Sequence, residues 1–195
     1  KVQSALLEAM QERQVTLDGK SHALPDSFMV LATQNPIEQE GTYPLPEAQS
    51  DRFLLKVRIG YPSREDEAEI LRRSSASTET IEGVVSAEDL AAARAVVSKV
   101  RMERVVEEYI VDLVRATRSD SQVADLSRII EVGASPRATI ALAITARAHA
   151  FLVGGRGYVT PDDVKAMAPD VLRHRVLLSY EAEADGIDTD DAVSK

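Results

Sequence analysis

Asn35 stands at a position where a side chain can handle a reacting water molecule. It follows the apolar run at residues 28–33, at the carboxyl end of a predicted buried strand. Open α/β sheets place ligand-binding groups at such strand ends, and a neutral amide can orient water by donating or accepting a hydrogen bond. Asparagine before a proline, here Pro36, is also common in plain turns. On position alone, the turn is the simpler interpretation.

Arg52 is the second candidate, because it lies just before a second predicted strand at residues 53–59. An arginine can reach from one subunit into the next and stabilise negative charge that develops on a phosphate. A surface salt bridge to Asp51 or Glu47 would explain the same residue without any chemistry. Taken alone, the salt bridge is the simpler interpretation.

Arg137 is the third candidate and follows Ser135-Pro136, which predicts an N-cap and a proline at the first helical position. The N-terminus of a helix is electropositive, so an unpaired cation there costs about 0.3–1 kcal/mol. A phosphate would reverse that preference, because backbone amides and the guanidinium would both point at it. A functional role and a chance placement are equally open from these residues.

Other kinds of chemistry find little support in the sequence. It contains no cysteine, which excludes a disulfide, a thiolate nucleophile and a zinc–thiolate site. His149 and His174 lack partners at metal-ligand spacing and are interpreted as structural, and the hydroxyl residues show no neighbouring His–Asp arrangement. No Gly-x-x-x-x-Gly-Lys-[Ser/Thr] segment occurs, nor an Asp-Glu pair that ends an apolar strand. We therefore expect the chain alone to hold no triphosphate and magnesium.

Composition indicates a folded protein and argues against general nucleic-acid binding and against a membrane span. The 195 residues are 44% hydrophobic and 28% charged, with a formal net charge of −9. Phosphodiester binding needs clustered Lys and Arg, so the acidic balance argues against a general nucleic-acid binder. The apolar run at residues 138–153 is too short and too polar to span a bilayer. The missing cysteines fit a reducing compartment such as the cytoplasm.

The first part of the chain reads as a partial α/β unit over residues 1–62. Apolar residues at helical spacing predict a helix over residues 1–13. Asp18-Gly19 predicts a tight hairpin turn. The run at residues 28–33 predicts a strand buried on both faces, and residues 53–59 predict a second strand.

The pattern becomes helical from Ser63 onward, which predicts an all-helical unit over residues 63–180. Ser63 with Asp66, and Ser86 with Asp89, resemble helix caps. The acidic ending at residues 181–195 is interpreted as a solvated tail.

Several long segments, taken in order, resemble the MoxR branch of the AAA+ ATPases. The matching segments are the helix that follows Walker B (residues 1–12), sensor 1 (31–38), the arginine-finger segment (41–53), sensor 2 (133–137) and the end of the lid (158–164 and 168–175). The implied fold is α/β: the C-terminal part of an AAA+ P-loop core, with parallel-sheet strands and a pre-sensor-1 hairpin, followed by an all-α lid.

The resemblance also implies a function and roles for the candidates. Asn35 would position the attacking water, Arg52 would act in trans on a neighbour's γ-phosphate, and Arg137 would contact the nucleotide, in its own subunit or in a neighbour. The cofactors would be ATP and Mg²⁺, with the phosphate loop and the metal ligands expected before Lys1. The assembly would be a ring, as a hexamer, with chaperone-like activity on protein complexes and a von Willebrand A-domain partner.

Two other interpretations remain open at this point. The chain could be a non-catalytic oligomerisation or regulatory module that has the AAA+ shape without a phosphate loop. The hairpin would also suit a helicase-like motor on DNA, although the acidic balance argues against it.

Overall fold

The computed structural model describes residues 6, 9, 10, 12–34, 45–74, 83–118 and 123–195. Residues 6, 9, 10 and 12 are helical, and Ala9 is buried, which agrees with the predicted first helix where it is described. Asn35 and the adjoining loop to residue 44 lie outside the described residues, so the sensor 1 assignment stays a prediction.

The predicted hairpin is present. Strands β1 (Gln14–Leu17) and β2 (Lys20–Ala23) pair antiparallel, with Leu17 opposite Lys20. The two turn residues, Asp18 and Gly19, both have positive φ, at 50° and 76°. A two-residue turn of this kind matches the twist of the strands, and Asp-Gly is one of the few pairs that adopts it at low cost.

The two further predicted strands are not formed in the described chain. Residues 28–33 and 53–59 carry no strand pairing, and Leu31 and Ile59 are 83% and 93% exposed. The prediction that residues 28–33 are buried on both faces is therefore wrong here. A strand needs a neighbour that completes its hydrogen-bond ladder, and neither run has one among the described residues. Apolar side chains in a run specify a strand only where such a neighbour exists.

Helices dominate the chain from residue 47 onward. In order, the elements are α1 (Glu47–Ser50), α2 (Arg64–Ser74), α3 (Ala87–Val97), α4 (Arg104–Ala116), α5 (Ala124–Ile129), β3 (Ile130–Val132), α6 (Pro136–Leu152), α7 (Pro161–Leu172), β4 (Leu177–Leu178), α8 (Tyr180–Ala184) and α9 (Thr189–Ser194). Strands β3 and β4 pair antiparallel. None of the described helices has the length and apolar character needed to cross a membrane.

The predicted helix starts are confirmed. Ser86 and Asp89 form a reciprocal capping box at α3, and Ser63 and Asp66 are hydrogen-bonded in the same way before α2. At α6 the Ser135 side chain accepts from the backbone N–H of Arg137, with proline at the first helical position. Each of these signals acts within one turn of helix, so tertiary context changes it little.

The core lies among α4, α6 and α7. Ile110 and Val114 of α4 pack with Leu142 of α6 and with Val164 and Leu172 of α7, all at 2% exposure or less. Four alanines of α6 are also buried, and their small side chains let the neighbouring helices approach closely. The buried alanines are Ala138, Ala141, Ala146 and Ala150.

The acidic ending differs from the predicted solvated tail. Residues 180–194 form α8 and α9, with Ala182 and Ala192 buried in the core. The acidic side chains have structural tasks there: Asp188 caps α9, and Asp190 pairs with Arg173 at 2.8 Å. The few apolar residues of this segment are outnumbered by acidic ones. The charge pattern therefore predicted a solvated tail.

Candidate functional site

Two of the three predicted site residues line one cleft of about 220 Å³. Arg52 approaches it from the turn after α1, and Arg137 from the first turn of α6. Its lining contains both charged and apolar side chains. The charged lining residues are Asp51, Arg52, Arg137 and Arg175, and the apolar ones are Leu54, Ile140, Ala141 and Ile144. Residues 85 positions apart in sequence thus meet at one place.

Arg52 has hydrogen-bond donors to spare. Its Nε donates to the Ala48 carbonyl at 3.3 Å, and its buried Nη1 has no acceptor among the described residues. The alternative salt bridge to Asp51 or Glu47 is not formed in the described part of the chain. A guanidinium carries five N–H donors and no acceptor, so a group that offers several anionic oxygens would complement it.

Arg137 is held only loosely. Its Nη1 lies 3.5 Å from Asp51 Oδ2, and half of its side chain is exposed. A hydrogen bond of that length between partly exposed groups contributes little to stability. The electropositive start of α6 lies beside it, where an anion is favoured. Arg137 can therefore exchange Asp51 for a stronger anionic partner without much loss.

Asp51 joins the segment that carries Arg52 to the start of α6. Its Oδ2 accepts from the Ser135 hydroxyl at 3.0 Å and lies near Arg137, while its Oδ1 accepts from Arg175 Nε at 3.0 Å. Ser135 in turn caps α6. One carboxylate thus fixes the residue before Arg52 against the helix that carries Arg137.

Arg175 is a site residue that the sequence analysis missed. Its side chain is only 2% exposed and pairs with Asp51. Burial lowers the pKa of Arg175, and the charge of Asp51 opposes that effect. Buried charges require such partners, but the sequence does not show that Arg175 is buried. Its place in the run Arg173-His174-Arg175, just after α7, was the one available signal.

His174 and His149 have the structural environments that the sequence predicted. The Nε2 of His174 lies 3.0 Å from the Phe53 carbonyl, and burial lowers its pKa to about 4. His149 Nδ1 lies 2.8 Å from Asp163. No group of three or more His, Cys, Asp or Glu side chains in the described ranges could hold a metal ion.

Asp163 is a strongly perturbed carboxylate away from the cleft. Burial by itself would raise its pKa, but hydrogen bonds from Arg156, Thr160 and His149 outweigh burial and hold the pKa well below its ordinary value. The side chain is 1% exposed, so no substrate can reach it. A buried, fully paired carboxylate of this kind fastens the end of α6 to the start of α7 and has no place in the cleft.

Comparison with known proteins places both arginines in matched regions. Residues 1–55 match the ATPase family associated with various cellular activities (AAA), and residues 124–195 match the AAA lid domain. The chain is 45% identical to "Chaperone MoxR1" of Mycobacterium tuberculosis, covering 100% of this chain and 52% of that protein. It is 47% identical to YeaC of Bacillus subtilis, covering 99% of this chain and 58% of the relative.

A solved structure has the same fold. It is a Cytophaga hutchinsonii protein provisionally assigned as an ATPase, with a TM-score of 0.92 and 46% sequence identity. The match covers 99% of this chain and 59% of the solved chain. The chain thus spans somewhat more than half the length of the proteins that it matches.

Proposed function

Because this chain belongs to the MoxR family of AAA+ ATPases, we propose that it works within a longer protein that hydrolyses ATP between the subunits of a ring. Hydrolysis would drive chaperone-like remodelling or maturation of protein complexes. The α/β AAA+ fold with a helical lid is common to the matched proteins. The chaperone role is supported by the name of the Mycobacterium tuberculosis relative.

The observation that carries the proposal is the shared cleft of Arg52 and Arg137. Arg52 offers unused donors, and among the described residues the Arg137 side chain makes one long hydrogen bond, to Asp51. Phosphate oxygens are the acceptors that match guanidinium geometry, often in pairs. Two cations that line one cleft suit the negative charge of a transferring phosphoryl group.

The proposed mechanism is in-line attack of water on the γ-phosphorus, which breaks the bond to the β–γ bridging oxygen. Arg52 and Arg137 neutralise the charge on the phosphoryl and leaving oxygens as that bond lengthens. Asn35 orients the attacking water. Mg²⁺ would supply further positive charge against the phosphate oxygens; the described residues hold no cluster of ligands for it.

The shared cleft also indicates which subunit binds the nucleotide that Arg137 contacts. If Arg52 reaches a nucleotide on the neighbouring subunit, a cation on the same cleft reaches the same nucleotide. Arg137 is therefore proposed to act in trans together with Arg52. The ring is proposed to be a cytoplasmic hexamer with a von Willebrand A-domain protein as partner, on the strength of the family resemblance.

The test is ATP turnover by the full-length protein at saturating ATP. Arg52→Ala is expected to lower kcat by roughly 10³-fold, the usual scale for an arginine that acts on a transferring phosphoryl group. Arg128→Ala is the matched control, because Arg128 is an exposed arginine paired with Glu181 at 2.9 Å and does not line the cleft. That control should stay within about twofold of the wild type.

Two results would contradict the proposal. An Arg52→Ala protein that turns over ATP like the Arg128→Ala control would remove Arg52 from the reaction. A full-length protein that assembles into rings but neither binds nor hydrolyses ATP would indicate the non-catalytic oligomerisation or regulatory module.

A further inference from the structure

The segment that carries Arg52 is held by the lid through its backbone. Residues 53–59 pair with no strand among the described residues, and carbonyls of this segment accept hydrogen bonds from side chains just after α7. Arg173 Nη1 donates to the Lys56 carbonyl at 2.8 Å, and the Lys56 N–H donates to the Asp170 carbonyl at 2.8 Å. His174 Nε2 lies 3.0 Å from the Phe53 carbonyl. The end of α7 thus bonds directly to the backbone of this segment.

Arg175 is the centre of this contact. Its Nη2 donates to the carbonyls of Asp51 and Phe53, at 3.2 and 2.5 Å, and its Nη1 to that of Leu54 at 3.2 Å. Its Nε donates to the Asp51 carboxylate at 3.0 Å. Three carbonyls and one carboxylate on both sides of Arg52 are therefore bonded to a single planar fork. A lysine ammonium has three donors on one atom and cannot reproduce that arrangement.

Stability alone does not account for a buried arginine here. The desolvation of a buried ion pair often cancels its attraction, and apolar residues of similar volume can stabilise a fold equally well. A guanidinium bonded to five acceptors, the four around Arg52 and the Val171 carbonyl, supplies a fixed geometry, which apolar packing specifies less sharply. The part of the molecule whose geometry it fixes is the backbone of Arg52.

The same pair reaches the second arginine of the cleft. Asp51 binds Arg175 through one carboxylate oxygen, and through the other it binds Ser135 and lies near Arg137. The segment that carries Arg52, the end of α7 and the start of α6 are thereby joined at one carboxylate. Asp51 thus links the backbone that carries Arg52 to the helix that carries Arg137.

We propose that Arg175 is a positioning residue, which holds Arg52 in register with Arg137 so that both meet the neighbouring subunit's phosphate as one rigid unit. This inference rests on the proposed function, in which Arg52 acts in trans. Arg175 does not touch the phosphate; it acts through the backbone of residues 51–54 and through Asp51.

The first test compares kinetics of the full-length protein with Arg175→Lys and Arg156→Lys. Arg175→Lys should lower kcat by at least about tenfold while KM for ATP stays within about threefold, because an interaction made in the transition state is lost. Arg156→Lys is the matched control: Arg156 also pairs with a buried carboxylate, Asp163, but away from the cleft. It should lower the melting temperature comparably and leave kcat within about twofold.

The second test mixes two kinds of variant subunit in one ring. It distinguishes a subunit that supplies Arg52 to its neighbour from a subunit that binds the nucleotide. Arg175→Lys subunits should regain activity with subunits whose metal-binding acid is disabled, because the latter keep an intact Arg52. Mixing them with Arg52→Ala subunits should not raise ATP turnover, because no interface in that mixture has a correctly positioned Arg52. If Arg175→Lys fails to fold, Asp51→Asn is tested in the same mixtures and should give the same pattern.

The outcomes distinguish this inference from the proposed function. Arg52→Ala that is fully active, or that stays inactive with the acid-disabled partner, overturns the proposed function itself. If Arg52→Ala behaves as proposed, a folded Arg175→Lys with wild-type kcat overturns the positioning role. Recovery in the mixture of Arg175→Lys with Arg52→Ala also overturns it, because Arg175→Lys subunits would then be supplying a working finger.

Discussion

Asp163→Asn tests the buried network that fixes α6 against α7. Asp163 accepts from Arg156 at 2.9 and 3.0 Å, from the Thr160 N–H and hydroxyl at 2.8 and 2.9 Å, and contacts His149 at 2.8 Å. Asparagine keeps the volume but removes the charge and replaces one acceptor oxygen with a donor. At least one of these donors would then face another donor in a buried site.

The expected loss follows from burial. Breaking a fully buried ion pair costs about 3–5 kcal/mol. The Arg156 side chain is 28% exposed and can regain some hydration, so we expect a loss of roughly 2–4 kcal/mol in the free energy of unfolding. In a chain of this length, that corresponds to a fall in Tm of roughly 5–15 °C.

The loss should also depend on pH in a defined direction. The pKa of Asp163 is held below its ordinary value of 3.8, so folding favours the ionised form. The contribution of the charge is complete above that value and is lost as the pH falls through the lower, folded-state pKa. The gap between wild type and Asp163→Asn should therefore be constant from neutral pH to about pH 5 and narrow only under stronger acid.

Urea unfolding followed by circular dichroism measures the effect. Asp162→Asn is the matched control, because Asp162 is 91% exposed and lies 4.0 Å from Lys165; it should change stability by less than about 1 kcal/mol. The reasoning is refuted if Asp163→Asn loses no more than Asp162→Asn, or if its loss grows as the pH falls from 7 to 4.

Two further substitutions test local geometry. Gly133→Ala should lower the free energy of unfolding by about 2–3 kcal/mol, because its Cβ would lie 2.4 Å from the Thr117 carbonyl oxygen. In the same urea titration Gly60→Ala should be near neutral, because its Cβ would meet nothing within 4 Å. Burial lowers the pKa of His174 from 6.5 to about 4. As the pH falls from 6.5 to 4, the free energy of unfolding of the wild type should therefore fall by roughly 1–2 kcal/mol relative to His174→Gln, after allowing for partial solvent screening. If the free energies of unfolding of the two proteins change equally across that pH range, the buried environment assigned to His174 is contradicted.

The features that the sequence predicted well are those set by a few adjacent residues. Asp18-Gly19 specifies its hairpin turn, and Ser86 with Asp89 specifies a cap, because the interacting groups lie within four positions. Residues 53–59, predicted as a strand, pair with no strand in the described part of the chain, because strand pairing depends on a distant neighbour. Arg173 and Arg175 donate hydrogen bonds to that backbone.

The candidate site was predictable residue by residue but not as an arrangement. Arg52 and Arg137 were each identified from the sequence and by resemblance, whereas their common cleft required coordinates. Arg175 was missed because burial, and not residue type, makes it informative. Asn35 lies outside the described residues, and its role stays a prediction, as does the division of the chain into domains.

The most direct test of the central claim is subunit mixing with Arg52→Ala in the full-length protein. One inactive protein carries Arg52→Ala, and the other carries a disabled metal-binding acid with Arg52 intact. If Arg52 acts across the interface, about one quarter of the interfaces in an equal, random mixture combine an intact nucleotide site with an intact finger, and ATP turnover should recover toward that fraction. A mixture that stays inactive, although mixed rings form, would contradict an action of Arg52 in trans.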